Sequence, residues 1–85
     1  MTKIEKILIK ILRGSSDQNV AFSDLCHLMR KLGFQERIKG GHHIFHKAEV
    51  SEILNFQPRT DGKAKAYQVK QAREIILKYE MGDLD

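Results

Sequence analysis

Residues 34–47 read FQERIKGGHHIFHK, and this stretch decides the fold because it holds two adjacent strand-like segments. Aromatic and β-branched residues favour extended structure on both sides of the glycine pair Gly40–Gly41. Two glycines between such segments are typical of a tight hairpin turn, which needs residues that accept positive φ. The sequence therefore predicts two antiparallel strands, FQERIK and HHIFHK, joined at the glycine pair.

The flanking segments complete an α+β arrangement. A third strand, EILNFQ, is expected to end before Pro58, which cannot continue a central ladder. Apolar residues at helical spacing predict three helices, the second beginning near Ser23 as N-cap and ending at Gly33. Their apolar stripes are Ile4, Ile7, Leu8, Ile11 and Leu12, then Leu25, Leu28, Met29 and Leu32, then Val69, Ala72, Ile76 and Tyr79. We expect a three-stranded antiparallel sheet with helices on one face.

The chain divides into an N-terminal amphipathic helix with a polar linker, residues 1–19, and a domain over residues 20–85. The first helix has an aliphatic apolar face without interfacial aromatics, which favours packing on the domain or a partner over lying on a membrane. No segment approaches the ~20 apolar residues of a membrane span. Cys26 has no second cysteine for a disulfide, which fits a reducing, cytoplasmic location.

Basic residues are concentrated in the middle of the chain. Residues 30–78 hold eleven Lys/Arg against five Asp/Glu, a net charge of +6, whereas the two ends together hold four against six, a net of −2. A basic region of this kind suggests a polyanionic partner, with nucleic acid the first candidate.

Three histidines follow the glycine pair, and the H-H-x-x-H spacing raises the question of a metal. On a strand, four residues separate His42 from His46 by roughly 13 Å, too far for both to bind one zinc ion. No cysteine pair or nearby acid completes a ligand set in the sequence. We therefore expect neither a metal nor another cofactor.

Acid–base chemistry needs only one imidazole near a bound polyanion. Period two places His43, Phe45 and Lys47 on one side of the strand: a proton carrier, an aromatic that could stack on a base, and a phosphate-pairing cation. Phe45 could equally belong to the core, which would turn His43 inward as a hydrogen-bonded structural residue. The pattern alone leaves both possibilities open.

The entry to the last helix, DGKAKAYQVKQ, lacks an obvious capping residue. Free first-turn amides and the helix dipole attract anions. Lys63 and Lys65 precede this end and Lys70 and Arg73 follow it, which indicates a phosphate-binding surface. A solvated lysine-rich loop is the alternative.

The segments LGFQERIKGGHHIFHK and ILNFQPRTDGKAKAYQVKQAREIILKY closely resemble the HicA family of small bacterial toxins. The usual signature of that family is Gly-Ser-His-His followed by apolar residues, then a Gln-Pro strand end and a Tyr-Gln-Val-Lys-Gln helix start. The resemblance covers roughly residues 20–79. One departure is Gly41, which stands where the family usually has serine, and the helix from Thr2 to Arg13 lies outside the resemblance.

The resemblance implies a fold similar to double-stranded-RNA-binding domains and a metal-independent ribonuclease activity on mRNA. It implies that the second histidine of the pair, His43, is catalytic, which agrees with the outward-facing of the two possibilities left open by the strand pattern. Lys47, Lys63, Lys65 and Lys70 would then hold phosphates, and Phe45 would stack on a base. It further implies a HicB-like antitoxin as partner in a hetero-oligomer. A non-catalytic RNA-binding module and a degenerate toxin are the alternatives.

Overall fold

A computed structural model describes residues 1–82 and confirms the α+β class. Within these residues the helices are α1 (Lys3–Arg13), α2 (Phe22–Lys31) and α3 (Ala66–Lys78), with a short 3₁₀ turn at Asp17–Asn19. The strands are β1 (Gln35–Lys39), β2 (His42–Lys47) and β3 (Val50–Phe56), which form an antiparallel sheet in the order β1-β2-β3.

The predicted glycine turn is confirmed. Gly40 and Gly41 both have positive φ, 55° and 85°, and Lys39 pairs directly with His42 across the turn. A two-residue turn of this type matches the twist of the flanking strands and fixes their register. Glu36 consequently lies opposite Phe45. This pair is next to the pair of Arg37 with Ile44, on the side away from the turn.

The helices cover one face of the sheet. Phe45, Leu54 and Phe56 point to this side and are fully buried, whereas Ile53 on the other side is 67% exposed. Alternation of this kind is expected when one sheet face packs on helices and the other stays open. The coarse architecture predicted from the sequence is therefore confirmed.

Helix α1 packs on the same core. Packing on the domain was one of the two expectations for this helix, and packing on a partner was the other. Thr2 and Glu5 form a capping box at its start, with bonds of 3.2 and 2.9 Å between each backbone N–H and the other side chain. Its stripe contributes Ile7, Leu8 and Ile11 to the core. Within residues 1–82, no helix combines the length and apolar content needed to cross a membrane.

The Arg73 guanidinium of α3 forms hydrogen bonds to the last turn of α1 and to the segment that follows α1. It donates to both carboxylate oxygens of Asp17, at 2.9 and 3.1 Å, and to the carbonyl oxygen of Ile11 at 3.1 Å. Because the two side chains are largely buried, this bidentate pair fixes the middle of α3 against the segment that contains Asp17.

The prediction of Ser23 as N-cap of α2 is wrong. The helix begins at Phe22, and its N-cap Ala21 offers no side-chain acceptor. The loop between β3 and α3 takes over this role, because the Phe22 N–H donates to the Gly62 carbonyl oxygen at 3.0 Å and Ala21 pairs with Lys63 in an isolated antiparallel bridge. A residue distant in sequence therefore accepts the hydrogen bond from the first amide of the helix. The sequence around α2 does not reveal this contact.

Candidate functional site

His43 lies at the margin of the helix-covered side of the sheet. The edge of its ring meets the Phe22 ring of α2, with the centroids 4.9 Å apart and the planes at 77°. Its side chain is 22% exposed. The expectation of an outward-facing His43 is therefore wrong, because the imidazole shares the helix side of the strand with Phe45, although part of it still meets solvent.

A carboxylate holds one nitrogen of this imidazole. The Nδ1 atom of His43 lies 2.7 Å from Oε2 of Glu36, and the other oxygen, Oε1, accepts from the Arg30 guanidinium at 2.6 Å. Burial alone raises the pKa of Glu36, but the hydrogen bonds from His43 and Arg30 and their charges outweigh it and lower that pKa below its ordinary value. Glu36 is thus an ionised acceptor.

The ionised carboxylate fixes the tautomer of His43. A carboxylate can only accept, so Nδ1 must carry the proton that lies between the two groups. In the neutral ring Nε2 is then left with a free lone pair. This is the arrangement of an oriented general base, and the Glu36 charge also stabilises the imidazolium that forms when Nε2 takes up a proton.

Cys26 of α2 lies next to the hydrogen-bonded pair of Glu36 and His43. One ligand atom each from Cys26, Glu36 and His43 lie within 4.8 Å of one another. Burial and then the negative charge of Glu36 raise the pKa of the Cys26 thiol to about 12. The thiol is therefore protonated at neutral pH and cannot act as a nucleophile, because only the thiolate attacks.

Glu36 and Arg30 were not among the site residues predicted from the sequence. A signal for Glu36 was present: the two-residue turn pairs Lys39 with His42, so Glu36 falls on the same sheet face as His43, as its diagonal neighbour. Nothing in the sequence pointed to Arg30, whose contact with Glu36 depends on how α2 crosses the sheet.

The expectation that Phe45 stacks on a base is wrong. Its side chain is fully buried and packs against Phe56, with ring centroids 5.7 Å apart. Phe45 therefore belongs to the core, which was the other possibility left open by the strand pattern.

The four lysines expected to bind phosphates do not converge on His43. The Lys63 backbone pairs with Ala21, the neighbour of Phe22. Its Nζ donates to Asn19 Oδ1 at 3.1 Å. Lys65 and Lys70 lie at the start of α3, and Lys47 lies at the far end of β2 with its Nζ against Gly33.

The side chain at the N-cap of α3 accepts no hydrogen bond from the first turn, as the sequence predicted, although Gln68 Oε1 accepts from the Lys65 backbone N–H at 3.4 Å. This N-cap is Lys65, whose ammonium can donate but not accept a hydrogen bond. Ala66, the first helical residue, faces a shallow depression formed by residues 14–19. The Asp17 carboxylate in that depression is paired with Arg73, so its charge is compensated.

His42 lies on the open face, on the opposite side of β2 from His43. Its Nδ1 is 3.1 Å from Asn55 Oδ1, and the two residues line a shallow groove with Lys39 and Ile44. The nearby Gly41 has room for a larger side chain, since nothing lies within 4 Å of the position its Cβ would take. Its left-handed backbone nevertheless favours glycine over the serine usual in the HicA family.

Comparison of the chain with family models, with curated proteins and with solved structures gave no match. The resemblance to the HicA family consequently depends on the sequence motifs alone, and the functional argument depends on the geometry around His43.

Proposed function

We propose that this chain is a HicA-type toxin: a cytoplasmic, metal-independent endoribonuclease that cleaves mRNA, and thereby inhibits translation and growth until an antitoxin binds it. The observation that supports this most is the hydrogen-bonded series Arg30–Glu36–His43, which leaves His43 Nε2 as an oriented base at a partly exposed position. Such a base needs no metal to activate an RNA hydroxyl.

In the proposed reaction His43 Nε2 accepts the proton of an RNA 2′-hydroxyl as its oxygen attacks the adjacent phosphorus. The bond from phosphorus to the 5′-oxygen breaks, and that oxygen takes a proton from solvent water to leave as a hydroxyl, after which the imidazolium returns its proton to solvent. The products are a 2′,3′-cyclic phosphate and a free 5′-hydroxyl. Glu36 keeps the ring in the correct tautomer and stabilises the imidazolium, while Arg30 keeps Glu36 ionised. DNA is not a substrate, because it lacks the nucleophile.

The substrate surface is proposed to combine Lys47, Lys63, Lys65 and Lys70 as phosphate contacts, in the context of a double-stranded-RNA-binding-like fold. The three-stranded antiparallel sheet with helices on one face is compatible with that fold. Lys70 is exposed and the other three lysines are partly exposed, and together with the basic middle of the chain they supply the charge that phosphate binding needs. Phe45 has no part in it, because it is buried.

The proposed partner is a HicB-like antitoxin that forms a hetero-oligomer with this chain and suppresses cleavage. The support is the resemblance of the motifs around His43 and at the start of α3. Co-expression with the product of the adjacent gene should relieve growth arrest if that product is the antitoxin.

The activity is tested by incubating the chelator-treated protein with one labelled RNA and with DNA of the same sequence. We expect cleavage of the RNA only, with products that end in a cyclic phosphate. Binding of RNA without any cleavage would refute the nuclease and favour a non-catalytic RNA-binding module or a degenerate toxin.

A further inference from the structure

Three metal-ligating side chains meet under α2, each from a different element. Cys26 comes from α2, Glu36 from β1 and His43 from β2, and one ligand atom of each lies within 4.8 Å of the others. The sequence separates them by ten and seven residues without any zinc-type spacing, so only the fold brings them together. We propose that Cys26, Glu36 and His43 form a site for a borderline-soft divalent cation such as Zn²⁺, and that occupancy of this site switches off the base function of His43.

The donor set suits such a cation. A thiolate, an imidazole nitrogen and a carboxylate oxygen are the three ligand types that zinc takes in proteins, and three protein ligands leave a fourth tetrahedral position for water. The partly exposed edges of Glu36 and His43 give that water and the entering ion access. The thiolate and the carboxylate offset the divalent charge, and the one positive charge that remains is that of the Arg30 guanidinium, whose side chain is 48% exposed to solvent.

The adjustment that binding requires is small. Around tetrahedral zinc with bond lengths of about 2.0 to 2.3 Å, neighbouring ligand atoms lie about 3.3 to 3.6 Å apart. The proposal takes Nδ1 of His43 and Oε2 of Glu36 as ligand atoms because they already face each other, and their distance of 2.7 Å would have to widen. The other separations in the cluster, where one ligand atom of each residue lies within 4.8 Å of the others, would have to close by about an ångström. Arg30 can stay on Oε1 while Oε2 turns to the metal, which keeps the ligand oriented.

Binding changes the protons in a defined way. The Cys26 thiol releases one proton to solvent and its sulfur binds the metal. The proton on His43 Nδ1 leaves to solvent, the Nδ1 lone pair binds the metal, and a proton from solvent adds to Nε2. The net release is one proton per ion when His43 starts neutral. Because Nε2 then carries a proton, it can no longer accept one from a 2′-hydroxyl.

The consequence for cleavage rests on the proposed function, but metal binding itself does not. Chelator-treated full-length protein is titrated with Co²⁺ as a spectroscopic probe, in the absence of RNA. We expect one ion per chain, a thiolate-to-cobalt charge-transfer band, tetrahedral ligand-field bands, and displacement of all of these by Zn²⁺. Cys26→Ala should lose the charge-transfer band, and Glu36→Gln should weaken affinity by more than the about 10–100-fold that loss of an outer-shell partner costs.

His42→Ala and His46→Ala are the matched controls, since both remove an imidazole from the opposite face of β2. They should leave the cobalt spectrum unchanged. The proposal is overturned if no cobalt binds, if cobalt binds without the charge-transfer band, or if these two controls abolish binding. Circular dichroism checks each fold, and if Cys26→Ala fails to fold, the Glu36→Gln titration decides.

The effect of the metal on activity is measured as the ratio of the RNA cleavage rates without and with Zn²⁺. Stoichiometric Zn²⁺ should lower the RNA cleavage rate of the wild type and of His46→Ala by at least about 100-fold, as removal of a general base does. If the wild type binds cobalt at Cys26 but cleaves RNA equally fast with and without zinc, the switch is refuted and the metal site is retained. A protein that binds cobalt but never cleaves RNA would refute the proposed nuclease alone.

Discussion

Glu36→Gln tests whether the orientation of His43 depends on a carboxylate. The side chain keeps its size, but only one of its two terminal atoms can still accept a hydrogen bond. The short contact from Arg30, 2.6 Å, is expected to keep the oxygen, because guanidinium has only donors. The amide NH₂ then faces His43 Nδ1, which must become an acceptor, and the ring proton moves to Nε2.

The expected loss follows from this change of tautomer. Holding a catalytic histidine in the wrong tautomer costs about 10⁴ in rate in serine proteases, and loss of acid–base help in general costs about 10²–10⁴. Stability should fall less. One hydrogen bond to a charged group, worth about 1.5–3 kcal/mol, is replaced by a neutral one worth about 1 kcal/mol, so the net loss is about 0.5–2 kcal/mol.

The assay is single-turnover cleavage of one labelled RNA in chelator, paired with thermal unfolding of the same preparations. Glu52→Gln is the matched control, because Glu52 is also a carboxylate on the sheet that accepts from a basic side chain, Lys78, at 2.6 Å. It should keep the cleavage rate. If Glu36→Gln cleaved within about twofold of the wild type while folded, orientation by Glu36 would have no part in the chemistry.

Three further predictions concern stability and RNA binding. The hydrogen bonds from Lys78 and Tyr79 lower the pKa of Glu52 from 4.5 to about 2, so its contribution to stability is complete above pH 4.5 and is lost as the pH falls towards 2. The melting-temperature difference between wild type and Glu52→Gln should therefore disappear over that range, and a difference that stays constant would contradict the ion pair. Phe45→Ala should cost about 3–5 kcal/mol in urea unfolding, since it empties a buried ring site, whereas a base-stacking surface role would leave stability unchanged. Replacing Lys63 and Lys65 with Ala should weaken RNA binding and reduce the slope of log K against log salt by about 1.4, for two phosphates on a single strand. The same change at Lys3 and Lys6 is the control, and equal slopes for both pairs would exclude a phosphate surface at the start of α3.

Local chemistry explains why much of the fold follows from the sequence. The glycine pair required positive φ, and the structure has both glycines in that region. The helical stripes specified buried faces, and Leu25, Leu28 and Met29 are buried as expected. The start of α2 was not predictable in this way, because the segment that satisfies the Phe22 amide lies forty residues further along the chain, at Gly62.

The candidate site divides in the same way. His43 was selected by its place in a short motif, and the direction of its side chain depended on whether Phe45 faced the core. The packing of Phe45 against Phe56 settles that direction, and strand alternation alone cannot. The hairpin register was enough to predict Glu36 as a neighbour of His43. Arg30 and Cys26 join the site only because α2 lies across this part of the sheet.

The most direct test of the account replaces His43 by Asn. The Asn amide nitrogen lies near the position of Nδ1 and can still donate to Glu36, so the fold and the Arg30 contact should persist while the base is removed. In chelator, on one defined RNA, we predict that His43→Asn cleaves at least about 100-fold more slowly than the wild type, with RNA affinity unchanged, while His42→Ala cleaves at nearly the wild-type rate. Cleavage by His43→Asn at the wild-type rate, or loss of cleavage in His42→Ala alone, would contradict the assignment of His43 as the proton carrier.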